Sequence, residues 1–334
     1  MNKAAKIYIA GHAGMVGSAL MRRLHAEGYS NIVTKSFDQL DLRNQQAVES
    51  FFEREKPEYV FLAAAKVGGI MANSTYKAEF VYDNLMIATN VIHAAYKHGV
   101  KKLLNFGSSC IYPKHAAQPI KEEYLLSGPL EPTNEPYAIA KIAAIKLCRF
   151  YNEQYGTNFI SLMPTNLYGP HDNFDLETSH VLPALLRKFH TAKLQHHKEV
   201  VLWGSGTPRR EFLHVDDVAR AAFFVMKNCN YADVGECVNV GSGIDSTIHD
   251  LALLIKQTVG FEGDIVYDAS KPDGTPRKLL DVSRINNVGW HALIELGDGI
   301  THTYAWYCAR ESVPFNQKET SNADAQSCRR AAAL

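Results

Sequence analysis

The chain has 334 residues, enough for one large domain or two modest ones. Its composition, 46% hydrophobic and 21% charged, is ordinary for a folded protein with a substantial core. Because 35 Lys and Arg residues balance 35 Asp and Glu residues, the net charge argues against general binding of nucleic acid, while leaving room for a local basic pocket.

The cysteines and the apolar runs indicate the cellular compartment. No cysteines form a CxxC pair, and a chain of this length does not need disulfides, so we expect reduced thiols. The first residues enter a predicted strand at once and leave no room for a signal sequence, and no apolar run approaches the ~18 residues that span a bilayer. These features predict a soluble, cytoplasmic protein. The cysteines are Cys110, Cys148, Cys229, Cys237, Cys308 and Cys328.

The chain up to residue 106 alternates short apolar runs with amphipathic stretches. The pattern predicts strands at 6–10, 31–35, 59–64 and 102–106, and helices at 18–27, 45–55 and 75–98. Strands that alternate with helices indicate βαβ units with right-handed crossovers. We therefore predict an α/β fold with a doubly wound parallel sheet of the Rossmann type.

The second part of the chain begins with a polar, proline-bearing loop at 113–132. A long helix is predicted at 134–155, with Asn134 as its N-cap and Pro136 in its first turn, and a strand at 159–163. Beyond residue 171 the order is less regular. The remaining predicted helices lie at 179–190, 247–259 and 299–310, and the remaining strands at 200–203 and 265–267.

These elements predict a division of the chain into three parts. We expect a dinucleotide-binding domain at 1–170, to which some later segments return, and a smaller C-terminal α/β substrate-binding region at 171–312. Residues 313–334 are expected to be a tail that is disordered or vector-derived at its end, where AAAL at 331–334 resembles a cloning junction.

A GxxGxxG loop lies between the first predicted strand and the first predicted helix. Gly11 permits a tight turn, Gly14 lets the backbone approach a pyrophosphate, and Gly17 lets the helix pack closely against the strand. The free N–H groups and the positive end of the helix dipole favour phosphates. This placement predicts dinucleotide binding. The loop consists of Gly11, His12, Ala13, Gly14, Met15, Val16 and Gly17.

Tyr137 and Lys141 lie four residues apart on the long predicted helix, and therefore on one face of it. A phenol has an ordinary pKa of ~10 and is a poor acid–base group near neutrality unless a cation stabilises its phenolate. Lys141 supplies that cation and could also hold a ribose hydroxyl. Ser108 directly follows a predicted strand, at the edge where open α/β sheets bind ligands. The glycine loop, the serine and the YxxxK pair, in this order, resemble the sequence pattern of the short-chain dehydrogenase/reductase superfamily.

Seven further motifs narrow the resemblance. Together they are similar to the GDP-L-fucose synthase family, whose members are 3,5-epimerase-4-reductases, and the likeness runs from about residue 6 to 307. The motifs are AAAKVGGI at 63–70, GSSCIYP at 107–113, EPTNEPYAIAK at 131–141, PTNLYGP at 164–170, WGSGTP at 203–208, REFLHVDD at 210–217 and KPDGTPRK at 271–278.

The resemblance implies two reactions in one pocket. A 4-keto group acidifies the sugar protons at C3 and C5, and the family assigns their removal and return to a cysteine and a histidine that match Cys110 and His180. Both residue types can titrate near neutrality in suitable surroundings. NADPH then supplies a hydride to C4 while Tyr137 protonates the oxygen, assisted by Ser108 and Lys141. The implied reaction converts GDP-4-keto-6-deoxy-D-mannose to GDP-L-fucose.

The resemblance also implies the binding residues. Asn166 is expected to orient the sugar or the nicotinamide, the cations suit a diphosphate, and Arg277 and Lys278 add charge to the pocket. The implied nucleotide-sugar residues are Asn166, Lys188, Trp203, Arg210 and Asp273. Besides the glycine loop, the implied cofactor residues are Lys35, Asp41, Lys141, Pro164, Thr165, Asn166, Leu167 and His180.

The cofactor preference is where the sequence departs from the family. Members selective for NADP are expected to place arginines near the adenosine 2′-phosphate, at positions occupied here by Ala13 and Phe37. Lys35 is the nearest cation, and no acidic residue directly ends the second strand to bind a 2′-hydroxyl, as is usual for NAD. Asp41 is expected to face the adenine. We expect NADPH, with weaker discrimination against NADH than usual.

Two other functions also fit the sequence. One is a sister enzyme, either an epimerase/reductase or a pure 4-reductase, acting on a related GDP-4-keto sugar such as a 6-deoxyheptose. The other is a silent dinucleotide-sensing module, although such proteins usually lack the serine or the Tyr–Lys pair. The family forms homodimers through two long helices, which correspond to 75–98 and 134–155. The histidines do not have the spacing of metal ligands, and we expect no metal.

Overall fold

The computed structural model describes residues 1–271 and 273–311, and the predicted tail at 313–334 lies outside them. The strands are β1 Ile7–Ala10, β2 Ile32–Val33, β3 Tyr59–Leu62, β4 Lys102–Phe106, β5 Phe159–Pro164, β6 Asn166–Tyr168, β7 Glu199–Trp203, β8 Arg209–His214, β9 Val238–Val240, β10 Asp245–Thr247, β11 Asp264–Asp268 and β12 Arg277–Lys278. The helices are α1 Met15–Ala26, α2 Gln45–Glu55, α3 Ile70–Thr75, α4 Lys77–Lys97, α5 Glu135–Tyr155, α6 Val181–Leu194, α7 Val215–Asn228, α8 Tyr231–Val234, α9 Ile248–Val259, α10 Ser283–Asn287 and α11 Leu296–Glu311.

A parallel sheet of six strands, in the order β2-β1-β3-β4-β5-β9, organises the first part of the chain. Side chains alternate across β1, so that Ile7 and Ile9 pack in a core with α1 and α7, whereas Tyr8 and Ala10 pack in a second core with α2, α4 and α5. Helices therefore cover both faces of the sheet. This arrangement confirms the predicted doubly wound α/β fold.

Two smaller sheets follow. In the first, β8 lies between β10 and β12 along its first half and pairs with β6 along its second half; in the other, β7 pairs with β11 in parallel. A third hydrophobic core joins α6, α9 and α11 and is centred on buried side chains such as Leu186, Phe189 and Ile255. The late strand β9 leaves this region and pairs with β5 in the first sheet, with Val238 opposite Leu162.

The structure corrects three details of the predicted elements. The helix predicted at 75–98 is α4, Lys77–Lys97, which begins two residues later than predicted because Tyr76 adopts a non-helical conformation between α3 and α4. The strand predicted at 31–35 is only Ile32–Val33, since it lies at the sheet edge and pairs with two residues of β1. Asn134 occupies the N-cap position of α5, but its side chain makes no capping hydrogen bond. No helix within the described ranges is both long and apolar enough to cross a bilayer.

A buried lysine ties the first sheet to α7. The Nζ of Lys102, on β4, donates hydrogen bonds to the carbonyl oxygens of Val225 at 2.7 Å and Met226 at 2.8 Å, and also to that of Cys229. Carbonyl groups at the end of a helix lack partners within the helix and need them from elsewhere when they are buried. Burial lowers the pKa of Lys102 to about 8. Lys102 therefore satisfies the buried C-terminal end of α7.

We predict that Lys102→Met lowers the free energy of unfolding by about 1–3 kcal/mol, because methionine fills the space but leaves the carbonyl groups without a donor. Urea denaturation of the purified protein measures the change. The matched control is Lys101→Met, since Lys101 is exposed and pairs at the surface with Glu58, so its loss should change the unfolding midpoint little. Equal unfolding midpoints for the two variants would contradict this role of Lys102.

Candidate active site

The glycine loop has the geometry that dinucleotide binding requires. Gly11 has a φ of +83°, and a Cβ on it would meet the backbone of Ala64 at 2.7 Å. A Cβ on Gly17 would collide with the backbone of Gly11 and His12. At Gly14, by contrast, the nearest atom that a Cβ would meet is the Gly11 oxygen, at 3.6 Å. The packing of the loop thus requires glycine at positions 11 and 17, whereas Gly14 is exposed to solvent.

The N-terminus of α1 is suited to a pyrophosphate. Gly14 is the N-cap of this helix, in extended conformation and with no side chain to bond the first N–H groups. Met15 and Val16, which follow, are half-buried, and Ala13 is exposed at the crest of the loop beside them. Uncapped N–H groups at the positive end of a helix dipole bind anions. The residues present here therefore fit the phosphates of a dinucleotide.

The end of β4 carries two candidate catalytic residues. Ser108 caps a short 3₁₀ turn, Ser109–Ile111, and its Oγ accepts a hydrogen bond of 3.2 Å from the N–H of Cys110. Ser108 and Cys110 are both partly accessible, whereas the adjoining Ser109 and Ile111 are buried. The turn thus holds the hydroxyl and the thiol on the open side of the sheet edge.

The helix α5 brings Tyr137 and Lys141 to the same edge. The Nζ of Lys141 donates a 2.7 Å hydrogen bond to the carbonyl oxygen of Phe106 and lies 5.6 Å from the centre of the Tyr137 ring. Burial lowers the pKa of Lys141 to about 8. Burial, and then the nearby Cys110, raise the pKa of Tyr137. The phenol is consequently protonated and able to donate, with a cation beside its ring.

The pairing of β8 with β12 sorts four basic residues onto two faces. Arg209 lies opposite Arg277, and Arg210 lies opposite Lys278. Because side chains alternate along a strand, each pair shares a face. Arg209 and Arg277 both bond to Asp245 on one face. Arg210 and Lys278 are therefore left for the other face.

Lys278 lies beside Cys110, one of the predicted catalytic residues. Its Nζ approaches the Sγ of Cys110 to 3.7 Å. The same lysine is close enough to His180 that, after burial, its charge is the next cause that lowers the pKa of that imidazole. The His180 ring keeps an accessible surface on the cleft although protein atoms crowd it closely. Lys278 thus joins the two residues predicted to move protons at C3 and C5.

A contact between two loops positions His180. This histidine is the N-cap of α6, in extended conformation. Just before it, the carbonyl oxygen of Thr178 accepts a 2.8 Å hydrogen bond from the N–H of Gly69. A Cβ on Gly69 would lie 2.9 Å from that same oxygen, so this close approach requires glycine. The AAAKVGGI motif therefore supports the His180 loop, a role that its sequence alone does not suggest.

The predicted nucleotide-sugar residues form a basic rim around an exposed tryptophan. Trp203 is 61% exposed, with the Nζ of Lys188 5.4 Å and that of Lys271 5.5 Å from the ring. Asp273 accepts hydrogen bonds from the N–H and Oγ of Ser205, at 2.9 and 2.7 Å, which holds the turn after Trp203. Sequence reasoning did not single out Lys271; its place in the KPDGTPRK motif was the available signal.

Arg210 and Asn166 lie deeper than this rim. Arg210 donates hydrogen bonds to the carbonyl oxygens of Arg209 at 2.8 Å and Thr275 at 2.6 Å, and burial lowers the pKa of its guanidinium. Asn166 donates a 2.8 Å bond to the carbonyl oxygen of Glu211. Of the residues next to Asn166, Pro164 and Thr165 are buried and Leu167 is half-buried. The structure therefore brings the PTNLYGP motif against β8.

The far end of the cofactor groove contains a charge cluster. Asp41 accepts two hydrogen bonds of 3.0 and 2.9 Å from the Nε and Nη2 of Arg43, and Asp83 accepts a third, of 3.2 Å. Burial opposes ionisation of Asp41, but the bonds from Arg43 outweigh it, so the pKa of Asp41 is lowered. Arg43 also stacks 5.2 Å from the ring of Phe37. Lys35, half-buried beyond β2, lies outside these ion pairs.

Comparison with known proteins places the chain in a family. The model of the NAD dependent epimerase/dehydratase family matches residues 7–241. Over 307 residues the chain is 60% identical to the putative GDP-L-fucose synthase 2 of Arabidopsis thaliana, covering 92% of this chain and 93% of the relative. Over 308 residues it is 56% identical to the GDP-L-fucose synthase of Escherichia coli strain K12, covering 90% and 96%.

Solved structures agree with this likeness. A GDP-mannoheptose C4 reductase from Campylobacter jejuni with NADP bound superposes with a TM-score of 0.86 at 46% identity, covering 92% of this chain and 99% of that one. The identity to this reductase is lower than that to the two synthases. The chain belongs to the NAD dependent epimerase/dehydratase family and, within it, to the GDP-L-fucose synthases.

Proposed function

We propose that this chain converts GDP-4-keto-6-deoxy-D-mannose to GDP-L-fucose, with epimerisation at C3 and C5 followed by NADPH-dependent reduction at C4. The observation that carries the proposal is the grouping of Cys110, Lys278 and His180 beside the Tyr137–Lys141 pair. A pure reductase needs only the Tyr137–Lys141 pair. Cys110 and His180 add two side chains that can exchange protons with carbon, and the ammonium group of Lys278 lies near both.

The first reaction uses the acidity of the protons next to the ketone. Cys110 and His180 are the acid–base pair, one group removing a proton and the other returning one to the opposite face. The Nζ of Lys278 lies 3.7 Å from the Sγ of Cys110. His180 is held neutral at physiological pH, because burial and the charge of Lys278 lower its pKa, and a neutral imidazole can accept a proton.

The second reaction uses the residues of β4 and α5. NADPH, when bound, supplies the hydride that reduces C4. Tyr137 gives its proton to the C4 oxygen, and its raised pKa keeps it protonated until that moment. The cation of Lys141 lies beside the ring and stabilises the phenolate that forms. The hydroxyl of Ser108 is placed on the same edge to hold the C4 oxygen.

The nucleotide end of the substrate is assigned to the basic rim. Trp203 offers an exposed aromatic face to the guanine or the sugar. The ammonium groups of Lys188 and Lys271 both lie beside the Trp203 ring and are assigned to the diphosphate. Arg210, held from below by carbonyl oxygens, adds a fixed guanidinium. Asp273 acts through Ser205, by holding the turn that carries Trp203.

A homodimer in the cytoplasm completes the proposal. Large apolar side chains remain exposed on α4 and α5, the two helices that the family resemblance assigns to the dimer interface. They are Tyr82, Ile139, Phe150 and Tyr155. A mass equal to one chain in light scattering would contradict the dimer, and recovery of the chain outside the cytoplasm in cell fractionation would contradict the location.

The proposal is tested by incubating the protein with GDP-4-keto-6-deoxy-D-mannose and NADPH in heavy water. We expect a loss of absorbance at 340 nm and a fucose-configured product, seen by NMR, that carries deuterium at C3 and C5. Reduction without deuterium would instead make the chain a pure 4-reductase. The absence of any turnover would favour a different GDP-4-keto sugar, such as the heptoses reduced by its structural neighbour.

The two catalytic groups predict opposite defects. Cys110→Ser should slow deuterium exchange at C3 and C5 by at least about 100-fold, since a general acid–base group is lost, while NADPH still binds. Tyr137→Phe should spare exchange and slow NADPH oxidation by a similar factor. Cys308→Ser, on α11, is the control and should change neither rate. Normal exchange in Cys110→Ser, or normal reduction in Tyr137→Phe, would remove that residue from the mechanism.

Lys35 should carry the preference for NADPH. Arg43 is already engaged by Asp41 and Asp83, so Lys35 is the basic residue in segment 34–43 that can reach a 2′-phosphate. Lys35→Ala should weaken NADPH binding roughly tenfold, the loss expected for one charged contact, and leave NADH binding unchanged. Fluorescence titration with both cofactors measures the two affinities, with the surface variant Lys198→Ala as control. An equal loss for NADPH and NADH would contradict this role.

A further inference from the structure

Glu211 is a buried carboxylate that the proposed reactions do not use. It lies on β8, directly after Arg210, and its side chain is fully buried. Its Oε1 accepts a 2.7 Å hydrogen bond from the N–H of Gly243, and its Oε2 accepts a 3.0 Å bond from the N–H of Leu280. Leu280 is two residues beyond Lys278. The carboxylate therefore connects β8 to the segment that carries the lysine at Cys110.

The surroundings of Glu211 are built for this carboxylate. A Cβ on Gly241 would collide with the carboxylate oxygens, so the side chain fits only beside a glycine. Gly243, whose N–H donates to the Oε1 of Glu211, has a φ of +74°. In the part of the chain that the structure describes, no Lys or Arg nitrogen lies within ion-pair distance of Glu211. Burial raises the pKa of Glu211, while hydrogen bonds from backbone N–H groups and from the hydroxyl of Thr165 act in the opposite direction.

The backbone of Glu211 makes separate contacts that its side chain does not control. The carbonyl oxygen accepts a 3.2 Å bond from the Oγ1 of Thr165 and a 2.8 Å bond from the Nδ2 of Asn166. A substitution at position 211 keeps this carbonyl and removes only the carboxylate. Side-chain variants therefore test the links of the carboxylate to Gly243, Leu280 and the hydroxyl of Thr165, while the link of the carbonyl to Asn166 remains.

We propose that Glu211 is a positioning residue for the epimerisation step: by holding the N–H of Leu280 and Gly243, it fixes the end of β12 so that Lys278 stays beside Cys110. This inference rests on the proposed function for its reaction. The carboxylate bonds neither to Ser108 nor to the Tyr137–Lys141 pair, which belong to β4 and α5. Its loss should therefore impair proton exchange and spare the binding of the cofactor.

The test variant is Glu211→Gln, since an amide has the same shape but its NH₂ group cannot accept one of the two N–H bonds. The first readout is the alkylation rate of Cys110 by iodoacetamide at pH 7, followed on the Cys110 peptide by mass spectrometry. The second is deuterium exchange at C3 and C5 with NADP⁺ bound, which does not require reduction. NADPH affinity is measured in parallel as the check on folding.

Three further variants accompany Glu211→Gln. Lys278→Met removes the ammonium group itself and sets the largest effect to be expected. Asp245→Asn is the matched control, because Asp245 also links β8 to β12 but does so through the side chains of Arg209 and Arg277 rather than through the backbone at Leu280. Glu211→Asp keeps the charge but withdraws it by one methylene, and serves as a second, milder variant.

We expect Glu211→Gln to slow both the alkylation of Cys110 and the exchange at C3 and C5 by about fivefold, with unchanged NADPH affinity. Lys278→Met should lower both rates at least as much, and Asp245→Asn should stay within about twofold of the parent protein.

The proposal is overturned if Glu211→Gln alkylates and exchanges at the parent rates. It is also overturned if exchange falls while alkylation is unchanged, or if neither Glu211→Gln nor Glu211→Asp binds NADPH, since the carboxylate would then serve the fold alone. A parent protein that neither exchanges nor reduces the sugar would refute the proposed function instead. The alkylation rates would in that case still decide the role of Glu211.

Discussion

The active site depends on one property of the parallel sheet, which is that the carboxyl ends of all its strands lie at the same edge. β1 ends at Ala10, β4 at Phe106 and β5 at Pro164, so the glycine loop, the turn that carries Ser108 and Cys110, and the PTNLYGP motif lie at one edge although they are far apart in sequence. The order β2-β1-β3 places a switch in strand order at β1, where the groove for a dinucleotide opens. The helix α5 then delivers Tyr137 to this edge.

A second sheet brings Lys278 to the same cleft, beside the Cys110 proposed to act in epimerisation. β8 and β12 pair in a fixed register, with Arg210 beside Lys278. A shift of one residue would turn Lys278 to the other face and present Arg277 in its place, because side chains alternate along a strand. Two carboxylates oppose such a shift: Asp245 binds the side chains of Arg209 and Arg277, and Glu211 accepts a hydrogen bond from the N–H of Leu280, two residues beyond Lys278. The register is thus a condition for the contact with Cys110.

Buried charges in this protein are compensated mainly by backbone groups. Lys102 donates to the carbonyl oxygens at the end of α7, Lys141 donates to that of Phe106, and Glu211 accepts from two N–H groups. Each of the three joins segments that are distant in the chain. Since a buried charge without such partners costs several kcal/mol, each also resists movement of the segments that it joins. Lys141 is itself a proposed catalytic residue, and Glu211 holds the segment that carries Lys278.

The sequence by itself determined the α/β class, the parallel core strands, the glycine loop and the residue types of the catalytic pair on α5. These follow from local features, namely hydrophobic periodicity, glycine positions and the four-residue spacing of Tyr137 and Lys141. It did not determine that Lys278 reaches Cys110, that Gly69 supports the His180 loop, or that Arg43 is engaged by Asp41 and Asp83. Those relations depend on strand register and loop contacts between segments far apart in the chain. Only the tertiary structure decides them, because local sequence patterns carry no information about which distant backbone groups will pair.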